Sequence, residues 1–141
     1  MVDQEIFLRR LEALRDYLNK VRAFQATRRD DFIREEPVHD LAERYLHLMM
    51  ECVLDLGNHY VAERELGIPE TNREVFDLLE QTGELNPALT DALRKWAGFR
   101  NILVHDYLRI DHGLAWDAIS RDLGDIEAFY AWAVAKIESR E

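Results

Sequence analysis

The sequence predicts an all-α, up-and-down helical bundle, and three observations predict it. Apolar residues recur at spacings of three and four, the period of a helix face. No stretch of useful length alternates apolar and polar residues with period two. Only 6 glycines and 3 prolines among 141 residues leave few of the breaks that a strand-and-turn fold needs.

Each element follows from its own pattern. Leu8, Leu11, Leu14, Leu18 and Val21 make one face of a first helix, about residues 3–25. Thr27 or Asp30 can cap a short helix over residues 31–35. Pro37 suits the first turn of a long helix, about 37–65. Gly67, Pro69 and Thr71 mark a loop. A short helix over 72–81 follows, and Gly83 ends it. Asn86 caps the next helix, with Pro87 at its first position, and the pattern runs to about Tyr107. Asp111 starts another, and Gly124 marks a bend before a final helix ending near Ser139. There are no repeats, low-complexity segments or long linkers, so residues 1–141 read as one domain.

The long helix carries an unusually broad apolar arc. Val38, Leu41, Ala42, Tyr45, Met49, Cys52, Val53 and Leu56 make the main face, which Leu46, Met50 and Leu54 widen. A surface helix needs only a stripe. This one is therefore central in the bundle, packs against a second copy of the chain, or does both; a homodimer is expected. Its other face holds Asp40, Arg44, His47, Glu51, Asp55 and Asn58. His47, Glu51, Asp55 and His59 are four apart, but they lack the carboxylate and Glu-x-x-His pairs of a di-iron bundle and the His-Glu-x-x-His of a zinc helix. That face reads as a solvated polar stripe, and no metal or cofactor is expected.

Composition removes several classes. One cysteine, Cys52, excludes a disulfide framework and reads as a buried, inert thiol. The opening MVDQEIFLRR has acids where a secretory leader has bases, and no apolar run approaches the roughly 20 residues that span a bilayer. A cytoplasmic protein without a membrane anchor is expected. A net charge of −10 argues against broad nucleic-acid binding. The charge is unevenly spread, however. Residues 35–93 carry 14 acidic and 3 basic side chains, whereas residues 94–109 carry 4 basic and one acidic. An anion is drawn to that basic stretch.

The basic stretch contains FRNILVHDYL, residues 99–108, with an arginine, an asparagine, a histidine, an aspartate and a tyrosine in eight positions. On an ideal helix Arg100 and His105 lie about 500° apart in winding, so they point roughly 140° from one another. Asn101 and His105 share a face, as do Arg100 and Tyr107. Arginine and histidine meet only if the helix ends or distorts near His105, or if two copies of the segment face each other across a two-fold axis. Histidine moves protons near neutral pH, and arginine matches phosphate geometry with parallel donors. Together they suffice for RNA cleavage without metal. One histidine takes the proton of a ribose 2′-OH, the oxygen attacks the adjacent phosphate, arginine stabilises the charge, and a histidine protonates the leaving 5′ oxygen. On spacing alone a structural reading serves as well: a histidine in the last turn favours the helix dipole, and an arginine pairs with a surface acid.

The full string RNILVHDY resembles the motif of HEPN-domain proteins, most of all the HepT subgroup, whose spelling is Arg-Asn-x-x-Val-His-x-Tyr. Arg100, Asn101, Val104, His105 and Tyr107 match it without departure. LAERYLHLMMECVLDLGNHYVAE, residues 41–63, resembles the family's long helix with its central glutamate, here Glu51, and RDLGDIEAFYAWA, residues 121–133, its last helix. The resemblance implies an all-helical homodimer with the motif in a cleft at the interface. It also implies a metal-independent ribonuclease toxin, paired with a minimal nucleotidyltransferase antitoxin that uses ATP to AMPylate the motif tyrosine, Tyr107. Arg100 and His105 are then the catalytic pair, and Asn101 orients His105. Asp106 points away from His105 on an ideal helix. Glu51 stands between lining the cleft and being a plain surface carboxylate. The alternative is a non-catalytic HEPN module that binds nucleotide or a partner and serves only as the nucleotidyltransferase's substrate.

Overall fold

The computed structural model of the chain describes residues 4–138, the side chains of Tyr107 and Glu138 excepted. Seven α-helices lie within that span: α1 Gln4–Arg22, α2 Arg29–Arg34, α3 Glu36–Glu63, α4 Asn72–Gln81, α5 Pro87–His105, α6 His112–Arg121 and α7 Leu123–Glu138. Two 3-10 turns join them, Ala23–Ala26 and Tyr107–Arg109. The all-α bundle expected from the sequence is the fold, with no strand among the described residues.

The 28-residue α3 is the axis, and α1, α2, α4, α5 and α7 all pack on it. Ala42, Leu46, Met49, Met50, Val53, Leu54, Leu56, Tyr60 and Val61 are buried along it. Its broad apolar arc is thus covered largely within one chain, and that arc carries no separate argument for a second copy. Leu41, counted on the main face by its spacing, is 47% exposed. In α1 the buried row is Phe7, Leu11, Leu14, Leu18 and Val21. Phe7 replaces the expected Leu8, which is half exposed, because a ring one position earlier fits the same stripe and edges onto His59 of α3. Each fully buried side chain of this kind contributes about 1.5–3 kcal/mol. Cys52 is buried and unpaired, and burial pushes its thiol up to about 11, as suits an inert group.

Helix ends follow local chemistry. Asn86 accepts a hydrogen bond from the Leu89 amide at 2.8 Å, and Pro87 follows it. Gly83, at φ 78°, lets the chain turn back after α4, so that the Glu84 amide reaches the Leu79 carbonyl at 2.9 Å. Four expectations move. α1 ends at Arg22 and continues only as a 3-10 turn. Neither Thr27 nor Asp30 caps α2; Arg28 precedes it in extended conformation without a side-chain cap. The break between the last helices falls at Asp122, so Gly124 sits inside α7 rather than at a bend. α5 ends at His105, because Asp106 leaves the helical region at φ −137°, ψ 42°. The expected limits at residues 3 and 139 lie outside the described residues. None of the described helices is long and apolar enough to cross a membrane.

Candidate functional site

The end of α5 lies alongside the polar face of α3, and that packing builds the site. Ala97, Trp96 and Leu93 are buried on the inner side of α5, which fixes its rotation. Arg100, three residues after Ala97, is thereby turned toward α3. Its side chain is only 16% exposed, and its Nε donates to Glu51 Oε1 at 2.5 Å. Its Nη1 donates to Asn101 Oδ1 at 3.1 Å. Asn101 thus holds the arginine, and no bond joins it to His105 among the described residues; the expectation that it orients the histidine is replaced by this contact.

Two further α3 residues complete the cluster. His47 Nε2 lies 3.4 Å from the same Glu51 oxygen, and Arg44 Nη1 lies 3.2 Å from His47 Nδ1. Glu51 therefore sits between a guanidinium and an imidazole, with a second guanidinium one helical turn further along α3. Burial pushes the His47 imidazole below its ordinary value; Glu51 opposes that shift, while Arg44 and Arg100 reinforce it. The stripe read as solvated is in its middle a docking face for Arg100. Arg44 and His47 were visible in the sequence only as members of that stripe; their spacing from Glu51 on one face was the available signal.

The other motif residues point elsewhere. His105, the last residue of α5, is exposed and has no hydrogen bond or ion pair among the described residues. Arg100 and His105 do not meet within one chain, as a continuous helix dictates. Asp106 accepts from Arg109 Nη1 at 3.3 Å across the 3-10 turn. Tyr107 opens that turn, beyond the end of α5, so the helical arithmetic that put it on the face of Arg100 does not reach it; its side chain lies outside the description. Ile102 and Leu108, both apolar and exposed, flank His105.

A cavity of about 220 Å³ opens between α3, the last turns of α5 and the chain that follows, lined by Asp40, Glu43, Arg44, His47, Leu103 and Ile110. It brings the Arg44–His47 pair to the rim of the motif. A larger hollow beside Trp96, Phe99 and Leu114 contains none of the motif's polar residues. Among the described residues, the one three-member set of possible metal ligands is His39, Glu43 and His112, outside the motif. The cluster of Arg44, His47, Glu51 and Arg100 has cations for a phosphate and an imidazole for a proton, with Glu51 as the internal counter-charge.

A helical bundle whose fifth helix ends in Arg-Asn-x-x-Val-His, with the motif tyrosine in the turn just after it and the arginine docked on a glutamate of the central helix, defines a HEPN-type protein. The model of the ribonuclease HepT-like family matches residues 14–131, and the chain belongs to that family. Two relatives and one solved structure are similar along much of the chain. The "tRNA nuclease HepT" of Aphanizomenon flos-aquae is 30% identical over 119 residues, 84% of this chain and 81% of that protein. The "mRNA nuclease HepT" of Shewanella oneidensis is 37% identical over 79 residues, 56% of this chain and 59% of that protein, so the match spans less than two thirds of its length. A structure of the tri-AMPylated HEPN toxin of Shewanella oneidensis in complex with MNT antitoxin superposes with a TM-score of 0.85 at 27% identity, covering 96% of this chain and 99% of that one.

Proposed function

We propose that this chain is an endoribonuclease toxin of a HEPN/nucleotidyltransferase pair, working as a homodimer and silenced by AMP transfer to Tyr107. The observation that carries the reading is the family match over residues 14–131 together with a motif intact in Arg100, Asn101, His105 and Tyr107. The names of the relatives, two nucleases and a toxin complexed with its antitoxin, support it.

In this reading two copies meet over the ends of α5, where exposed Ile102 and Leu108 supply apolar contact beside His105. One His105 accepts the proton of a ribose 2′-OH. The 2′ oxygen forms a bond to the adjacent phosphorus, and the bond from phosphorus to the 5′ oxygen breaks. The His105 of the second copy gives that oxygen its proton. The products are a 2′,3′-cyclic phosphate and a free 5′-OH, and the sequence needs no metal. Proton transfer of this kind contributes about 10²–10⁴-fold in rate. Arg100 binds the phosphate as charge builds on it, which adds about 10²–10³-fold. Glu51 and Asn101 are positioning residues that hold Arg100, while Asp106 shapes the turn. An adenylate on Tyr107 would bring bulk and negative charge to the end of α5 and compete with RNA for the arginine.

One observation favours the alternative, a binding module without chemistry: Arg100 is already occupied by Glu51. End-group analysis separates the two. The purified chain is incubated with RNA and with the same RNA bearing a 2′-deoxy nucleotide at the cut. The expected result is cyclic-phosphate ends on the first and no cut in the second. Cleavage of the deoxy substrate, or no cleavage by protein whose Tyr107 is shown unmodified by mass, overturns the proposed chemistry.

A further inference from the structure

Three ligand-bearing side chains meet under the start of α6. His39 and Glu43 are one turn apart on α3, and His112 is the first residue of α6. A ligand atom from each lies within 4.8 Å of the other two. His112 Nδ1 is 2.5 Å from Glu43 Oε2, and the His39 and His112 rings stack with centroids 3.6 Å apart. His39 and Glu43 are more than nine-tenths buried. His39 Nδ1 is buried and has no hydrogen bond; it lies 3.0 Å from Asp40 Oδ1, out of line for one, and 3.9 Å from Glu43 Oε1. A buried nitrogen without a hydrogen bond costs free energy that a satisfied core residue does not. A carboxylate and two imidazoles whose ligand atoms lie this close together are a donor set that a zinc ion can use.

We propose that His39, Glu43 and His112 bind a divalent transition metal, zinc in the first instance, and that the ion fastens the start of α6 to α3. Two ligands one turn apart on a helix and a third from another element is a workable tetrahedral set, with the fourth position open to water or to Asp40. Ligand atoms around zinc are about 3.3 Å apart, from bonds of about 2.0–2.1 Å. The Glu43–His112 contact therefore opens by a little under an ångström, and the two rings, 20° from parallel, cannot both present an in-plane nitrogen until one turns. His112 is the one that turns: its side chain is 31% exposed, against 9% for His39. The ion takes the place of the Glu43–His112 hydrogen bond, and His112 ligates as a neutral imidazole with its proton on the other ring nitrogen. Glu43 and the neighbouring Asp40 line the cavity next to Arg44 and His47, which gives an ion a way to the carboxylate. Its role is structural, because it braces the connection that follows Tyr107, and it stands independently of RNA cleavage.

The test uses the full chain, stripped of metal by a chelator and dialysed. Cobalt(II) is added as a spectroscopic stand-in for zinc, and bound zinc is measured separately after gel filtration. The expected result is roughly one equivalent retained per chain, intense visible absorption of tetrahedral cobalt, and a melting midpoint raised by several degrees with zinc. His112→Ala, at the more exposed position, and Glu43→Gln, which keeps shape and can still hydrogen-bond His112, each weaken zinc binding at least tenfold while circular dichroism stays helical. Absence of the cobalt spectrum in the wild-type chain overturns the proposal, whatever the variants do. So does unchanged zinc affinity in both folded variants, which would assign the ion to scattered surface groups.

Discussion

Replacing Glu51 with alanine removes the carboxylate 2.5 Å from Arg100 Nε while the guanidinium stays where α5 puts it, 16% exposed. The cost can be worked from the geometry. A charge-assisted hydrogen bond contributes about 1.5–3 kcal/mol. Glu51 is 36% exposed, so water screens part of that, and fully exposed pairs are worth about 0–1 kcal/mol. A loss of about 1–2 kcal/mol follows, or roughly 3–7 °C in melting midpoint for a chain of this size. Arg100→Ala costs less, because the half-exposed carboxylate left behind rehydrates. A double-mutant cycle of the two, read by urea unfolding, gives a coupling of about 1 kcal/mol. Kinetics carry a second signature. Without Glu51 the arginine is free to take RNA phosphate but is no longer aimed, so KM falls and kcat falls with it. A coupling near zero, or a Glu51→Ala enzyme with unchanged kcat, refutes the claim that Glu51 sets the position of Arg100.

Two further predictions rest on other parts of the bundle. Gly57 faces α4, and a β-carbon there would stand 2.7 Å from Val75 Cγ1. Gly57→Ala therefore forces α3 and α4 apart and destabilises by about 1–3 kcal/mol, despite a helix-propensity gain of about 1 kcal/mol; an increased denaturation midpoint would contradict the packing. The His47 imidazole is held below its ordinary value by burial. The unfolded chain thus takes up this proton first as pH falls. The penalty is absent above the ordinary histidine range, grows as pH drops through it, and is complete below the folded value. Urea midpoints against pH should fall less steeply on the acid side in His47→Asn than in the parent; parallel curves would remove His47 as the cause.

Much of this architecture is legible in residue order because its signals are local. Pro37, Asn86 with Pro87, and Gly83 each act within one turn, and the structure begins or ends helices there. The end of α5 was not legible. Neither glycine nor proline stops it, and Asp106 breaks it through the tertiary placement of the following turn. Burial of the α3 arc was foreseen, but periodicity measures how wide an apolar face is, not which neighbours cover it. The site divides in the same way. Arg100, Asn101 and His105 follow from a linear motif. The partner of Arg100 does not, since Glu51 is 49 residues away and helix geometry gives a direction rather than a contact. His112 is 69 residues from Glu43, and only the packing of α6 on α2 beside α3 brings them together.

The central claim is that His105 moves the proton and Arg100 carries the charge in RNA cleavage. The most direct measurement is the cleavage rate of RNA by the purified, unmodified chain beside His105→Ala and Arg100→Ala, with circular dichroism on each sample. The account predicts cleavage by the parent and a loss of at least about 10²-fold in either variant with helicity intact. Parent-like cleavage by a folded His105→Ala protein would contradict it.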